Sequence, residues 1–201
     1  MRLSLAVFLM AALAASLAAS AEQVTEPRTG VSFPDKEGDM TLLGVGVRTK
    51  TFLKVKVYAA GFYVAGSALA GPLAAHRGKP VTPALYRDLV WGDFPKLMVL
   101  HFVRDVTTAQ IQESLREALA KADPARREAF IAYFGDTRSG EEYRIRWAPG
   151  GILEVTAAGK VKPPIPDKNF AAAAFGAWLG DDAVQQDLRR ALVSRAPLVL
   201  R

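Results

Sequence analysis

Cysteine is absent from the 201 residues, and histidine occurs only at His76 and His101. An oxidising compartment would add no disulfide to such a chain, so its stability must come from packing. Zinc, copper, haem-thiolate and iron–sulfur sites lose most of their usual ligands, and no metal or covalent cofactor is expected. Haem through His101 or a tyrosine is the one residual route, and no motif favours it. The standard catalytic signatures are missing too: there is no G-x-S-x-G elbow, no P-loop and no H-E-x-x-H. The stretch "GVGVR", Gly44–Arg48, has the glycines of a phosphate loop but neither the third glycine nor a following helix. Charge has no focus. Lys54 and Lys56 alternate on one segment, while Arg189, Arg190 and Arg195 fall near the end. Nucleic-acid interfaces gather charge on one face, so no nucleic-acid partner is expected.

What is present begins with an address. "MRLSLAVFLMAALAASLAASAEQ" carries one charge, Arg2, then an apolar and small-residue run closing on Ala19-Ser20-Ala21 before Glu22. That small-x-small ending is the pattern of a cleaved export signal over residues 1–21. Its loss lowers the formal charge from +6 to +5. No later run is long and apolar enough to span a bilayer, so no stable membrane insertion is expected after cleavage. A two-membrane bacterium would hold the mature chain in its periplasm, and otherwise it would be secreted. Residues 22–201 have the length of one ordinary domain.

Periodicity outlines that domain. Gln23–Lys36 is polar with two prolines and reads as an extended lead-in. "MTLLGVGVR" reads as a strand. Leu53, Val55 and Val57 then alternate with Lys54, Lys56 and Tyr58 as a half-buried strand, interrupted at Gly61, where a bulge or a close backbone approach is expected. "GSALAGPLAAHRGKPVTP" is rich in breakers, with one short helix at most. "PKLMVLHFVRDV" is a central strand with Lys96 and Arg104 at its ends, covered by helices on one side. Thr107 and Gln110 have capping-box spacing for a helix whose stripe is Ile111, Leu115, Ala118 and Leu119. "PARREAFIAYF" forms a second helix, stopped at Gly135. "EYRIRWAPGGILEVTAAGKV" reads as a hairpin about Pro149-Gly150-Gly151. Two terminal helices meet at Gly180, the second capped by Asp181 or Asp182. Antiparallel strands with grouped helices argue for an α+β fold, one curved sheet with helices on one face.

The chemical candidates are few. His76, in a Gly/Pro loop, reads as solvent-exposed, and His101, mid-strand among apolar residues, as a hydrogen-bonded core histidine. Glu141-Glu142 and Asp181-Asp182 stand at element starts, where turn and capping roles account for them. Tyr58, Phe62, Tyr63, Phe102, Phe170, Phe175 and Trp178 read as core, and they would also wall any cleft between sheet and helices.

The order of "GVGVRTKTFLKVKVYAAGFYV", "FVRDVTTAQIQESLREAL" and "NFAAAAFGAWLGDDAVQQDLRRALV" resembles the chalcone isomerase-like family, over about Val31 to Val193. The resemblance implies an open-faced β-sandwich, a large antiparallel sheet with a helical layer packed on one face. The plant enzymes of the family close a chalcone into a flavanone; relatives of the same fold bind fatty acids. Arg48 falls on the arginine that, in the enzymes, holds the anionic nucleophile and the developing enolate, a task suited to a planar cationic fork. Elsewhere the pattern departs. Thr49 replaces a glycine, and Tyr58 replaces a strand threonine. Ile111 stands at the helix tyrosine, with Ser114 and Ala118 at the lysine and asparagine of the pocket. Leu115 keeps an apolar neighbour, and Ala177-Trp178 replace a threonine–methionine pair.

These departures remove the hydroxyl contacts a polyphenol needs and leave one cation against an apolar wall. The expected activity is therefore binding of an apolar or amphipathic small molecule such as a fatty acid. Arg48 would anchor its head, with Thr49, Tyr58, Phe102, Ile111, Leu115, Ala118, Ala177 and Trp178 around it. Three alternatives stand beside this. In one, Arg48 makes an ordinary internal ion pair and side chains fill the cleft. Another is an isomerase or intramolecular lyase with Arg48 as electrostatic catalyst. The third is an envelope interaction module whose outer face matters and Arg48 does not.

Overall fold

A computed structural model of the chain describes residues 22–50 and 53–201. The export signal expected over residues 1–21 lies outside the described residues. In chain order the strands are β1 (Gln23–Thr25), β2 (Ser32–Pro34), β3 (Lys36–Glu37), β4 (Met40–Lys50), β5 (Val55–Ala65), β6 (Lys96–Phe102), β7 (Glu142–Ala148), β8 (Ile152–Ala157), β9 (Lys160–Val161) and β10 (Ile165–Pro166). The helices are α1 (Gly66–Ala70), α2 (Pro83–Trp91), α3 (Thr108–Ala118), α4 (Pro124–Ile131), α5 (Lys168–Leu179), α6 (Gln186–Ala191) and α7 (Ala196–Val199). One antiparallel sheet runs β10-β8-β7-β6-β5-β4-β3, with β9 on β8. The class is α+β, as the patterning implied.

Alternation in the long central strands sorts the core into two. Ala60, Phe62 and Val64 of β5, with Met98, Leu100 and Phe102 of β6, join the large cluster that the helices close. Their neighbours Ala59, Tyr63, Leu97 and Val99 face the other way, into a smaller cluster. This second face is not left to water. The expected extended lead-in is instead the β1–β2 hairpin, whose Phe33 is 1% exposed. Gly61 is what admits it: a Cβ there would lie 2.6 Å from Phe33 Cδ1. The tyrosine beside it, Tyr63, fixes the hairpin by donating its hydroxyl to the Pro34 carbonyl at 3.0 Å. A polar segment conceals such a role because one aromatic, placed over one glycine, supplies most of the contact.

Four more expectations are corrected. Leu53 does not begin the strand; it is 70% exposed in the turn before Val55. The breaker-rich stretch is followed by an unanticipated helix, α2, started by Thr82, whose hydroxyl accepts from Leu85 N, and by Pro83 in the first turn. Lys96 does not mark a solvated strand end. It is wholly buried, donating to the carbonyls of Leu89, Val90 and Gly92 at 2.7, 3.1 and 2.9 Å, with its ammonium 3.9 Å from the Trp147 ring centroid. These carbonyls end α2, where a cation offsets the helix dipole. Burial pulls the Lys96 pKa down to about 7, against the opposing attraction of Asp93.

The fourth correction concerns α6. It is preceded by Gln185 as cap residue, with no side-chain cap bond from Asp181 or Asp182. Asp181 pairs with Arg189 at 2.9 Å and Asp182 with Lys121 at 2.5 Å. What seats α6 is glycine on β4: Cβ atoms at Gly44 and Gly46 would lie 2.2 Å from Ala191 O and 2.8 Å from Ala191 Cβ. The "GVGVR" glycines therefore serve backbone approach between helix and sheet, not phosphate. The Thr107–Gln110 capping box of α3 and the hairpin turn, with Gly150 and Gly151 at φ 83° and 78°, follow expectation.

Candidate functional site

Arg48 shares the helix-side face of β4 with Gly44 and Gly46, and pairs in register with Tyr58 of β5, which in turn pairs with Phe102 of β6. Beside them the β4–β5 register slips between Arg48 and Thr49, so that Val57 is an extra residue on β5. A bulge of this kind lets two successive side chains lean to one side, and both Val57 and Tyr58 line the same cavity.

That cavity, about 320 Å³, lies between the sheet and α3, at the lower end of the range typical of small-molecule pockets. Its floor is aromatic. Tyr58, Phe102 and Tyr143 run across three strands with ring centroids 5.5 and 4.8 Å apart, edge to face. Ile111, Ser114, Leu115 and Ala118 of α3 form the roof, and Ala177 and Trp178 of α5 close one side. Of these α3 residues only Ile111 is fully buried by protein; the helix turns Gln112 and Glu113 to partial or open exposure and pairs Arg116 with Glu128 of α4.

The polar atoms within it are mostly donors. Arg48 is half-buried, donating Nη1 to the carbonyl of Thr49 at 2.9 Å and to Gln185 Oε1 at 3.3 Å. Among the described residues no carboxylate forms an ion pair with it, so the internal salt bridge weighed from the sequence is not what holds it. Trp178 Nε1 donates to the Tyr58 hydroxyl at 2.9 Å. Because that bond uses an acceptor lone pair of the oxygen, the phenolic proton is free to point elsewhere. Burial raises the Tyr58 pKa, outweighing the Trp178 hydrogen bond and the Arg48 charge, and the phenol stays protonated at neutral pH. Lys50 and Arg104 add two further cations to the lining, against the single acid Glu113.

Of the residues singled out from sequence, Arg48, Tyr58, Phe102, Ile111, Leu115, Ala118, Ala177 and Trp178 all line this cavity. Thr49 does not: it turns its backbone N–H to Gln185 Oε1 at 2.9 Å and acts on the site only through Arg48. Sequence reasoning missed Gln185, Tyr143, Lys50 and Arg104. The usable signal for Gln185 was the glycine pair, which announces that something presses on β4 one turn from Arg48.

Both histidines lie outside the cavity. His76 is not exposed; it is 9% accessible, with Nε2 2.7 Å from Asp88 Oδ2 on α2. His101, on the hairpin-covered face, stacks edge to face on Phe33, with Nε2 2.8 Å from Glu142 Oε2. Among the described residues no group of three or more acidic or histidine side chains converges to hold a metal ion.

Comparison with known proteins covers nearly the same span as the sequence motifs. Residues 29–194 match a family model described as chalcone isomerase-like. Fatty-acid-binding protein 2 of Arabidopsis thaliana is 28% identical, across 83% of this chain and 49% of its own length. The chain thus spans about half of that relative. Chalcone isomerase-like protein 1 of Humulus lupulus is 27% identical across 78% of this chain and 82% of its own. A chalcone–flavanone isomerase of Phaseolus vulgaris is 27% identical, with 73% and 76% covered. The crystal structure of a fatty-acid-binding protein of Arabidopsis thaliana superposes with a TM-score of 0.74 at 21% identity, covering 89% of this chain and 99% of that one. The fold is therefore shared.

Proposed function

The chain belongs to the chalcone isomerase-like family, and from that premise we propose that it binds a small molecule with an anionic head and an apolar body, such as a fatty acid, without forming a flavanone. Relatives named as fatty-acid-binding proteins support the ligand class. The observation that carries the reading is Arg48, a cation with no carboxylate partner among the described residues, on the wall of an apolar cavity. A carboxylate head accepts from its fork and from the Tyr58 hydroxyl, both donors. The hydrocarbon runs over Phe102 beneath Ile111, Leu115 and Ala118. Flavanone closure would need hydroxyl-positioning groups, and Ile111, Ala118 and Ala177 offer none. Each missing donor forfeits roughly 10²–10³ in rate. The export pattern of residues 1–21 extends the reading to a periplasmic or secreted lipid carrier.

Purified mature protein is expected to yield fatty acid on solvent extraction and, once stripped, to melt higher with added dodecanoate, since a ligand at about 100 times its Kd adds roughly 2.7 kcal/mol. Protein that carries no lipid and shows no melting shift contradicts it. The presence of chalcone–flavanone isomerases among the relatives favours one second reading, tested by absorbance loss of hydroxychalcones. Rates equal to buffer for both wild type and Arg48→Ala dispose of it.

A further inference from the structure

Among the described residues, Gln185 is the only side chain that grips Arg48 from outside its own strand. Its Oε1 accepts from Arg48 Nη1 at 3.3 Å, from the Thr49 backbone N–H at 2.9 Å and from the Thr49 hydroxyl at 3.4 Å. Its Nε2 reaches back to the Val47 carbonyl at 3.5 Å. One amide thus touches three consecutive residues of β4 at the bulge. It occupies the cap position of α6, the helix pressed onto Gly44 and Gly46, so the backbone that carries the amide is seated on the strand.

We infer that Gln185 is a positioning and specificity-determining residue of the cavity, fixing the Arg48 fork while leaving its charge uncompensated, so that the ligand head must be an anion. This rests on the function proposed above. What sets the amide apart from a carboxylate here is charge rather than shape. An acceptor is needed here for the guanidinium and the Thr49 N–H, both of which donate to Gln185 Oε1. A glutamate would satisfy both and match the glutamine in size, yet it would also neutralise the arginine, as buried arginines ordinarily are. An amide accepts the same bonds and carries no charge. The arginine is thereby held still and left electrically open, which is what selective recognition of a carboxylate over an uncharged head requires.

The test compares wild type, Gln185→Glu and Gln185→Ala as the full mature chain, titrated calorimetrically with dodecanoate and with 1-dodecanol. Wild type is expected to prefer the acid. Gln185→Glu, near-isosteric, is expected to bind the alcohol as wild type does while its acid-to-alcohol preference falls by about tenfold or more, as for a charge pair set against a bound anion. Gln185→Ala is expected to weaken acid binding without abolishing the preference. A Gln185→Glu protein with the wild-type preference overturns the inference. A ligand-independent readout separates the two claims. The Thr49 amide should lose hydrogen-exchange protection in Gln185→Ala and keep it in Gln185→Glu; unchanged protection in Gln185→Ala overturns the positioning role. Wild type that binds neither lipid, or both alike, overturns the proposed function instead, and the Thr49 amide still decides whether Gln185 positions Arg48.

Discussion

Replacing Arg48 by methionine keeps an unbranched stem in the cavity wall and removes only the charged fork. The structure allows the two consequences to be separated. In the ligand-free protein the fork bonds one backbone carbonyl and one amide oxygen, and no carboxylate is stranded by its loss. Gln185 Oε1 keeps the Thr49 N–H, and the half-open setting lets water replace the guanidinium. The expected cost to folding is about 1 kcal/mol, a fall of about 2–4 °C in Tm for a chain of this size. For the liganded protein the loss is larger. Two charge-assisted hydrogen bonds to a carboxylate, at the lower end of roughly 1.5–3 kcal/mol each, amount to about 3 kcal/mol, or ~150-fold in Kd. Differential scanning fluorimetry of the stripped protein and calorimetric titration with dodecanoate read the two quantities independently. Dodecanoate binding within threefold of wild type would refute the anchoring role. A stripped variant that melts more than about 10 °C lower would instead make Arg48 a support of the fold.

Two other outcomes test the framework around the site. Gly46→Val places carbon where Ala191 Cβ and Leu188 Cδ1 stand at 2.8 and 2.9 Å, so α6 must lift; a loss of about 1–3 kcal/mol in urea denaturation is expected, and an unchanged midpoint would mean that α6 is not seated there. Lys96 gives a pH signature. Its folded pKa of about 7 lies below its ordinary 10.5, so between those values the unfolded chain holds more protons and stability rises with pH, by at most about 1.4 kcal/mol per unit. The burial penalty is complete below about pH 7. Lys96→Met should abolish the rise, and parallel wild-type and variant curves from pH 7 to 10 would contradict it.

Legibility along the chain followed the range of the interactions involved. Period-two alternation in β6 and the capping box of α3 are local, and both were readable residue by residue. The aromatic floor was readable because Tyr58 and Phe102 fall on strands that must be neighbours. The β1–β2 hairpin was not, since Phe33 declares itself only once Gly61 lies beneath it. Lys96 shows the same limit from the other side: a charge at a strand end reads as solvated until three carbonyls from α2 arrive around it. Gln185 stands 137 residues from Arg48, and no pattern within either segment names the other. The glycines at 44 and 46 hinted at a close neighbour without saying which.

The roof of the cavity has a consequence of its own. Ser114, Leu115 and Ala118 are half-buried on a helix whose other side, with Glu113, Arg116 and Glu117, meets solvent. The donors that would receive a head group belong to the sheet, pinned by register and glycine contact. In the proposed complex, head chemistry and tail length would thus be set by separate parts of the scaffold, and exchanging two or three residues of α3 would retune the ligand while the sheet kept its donors.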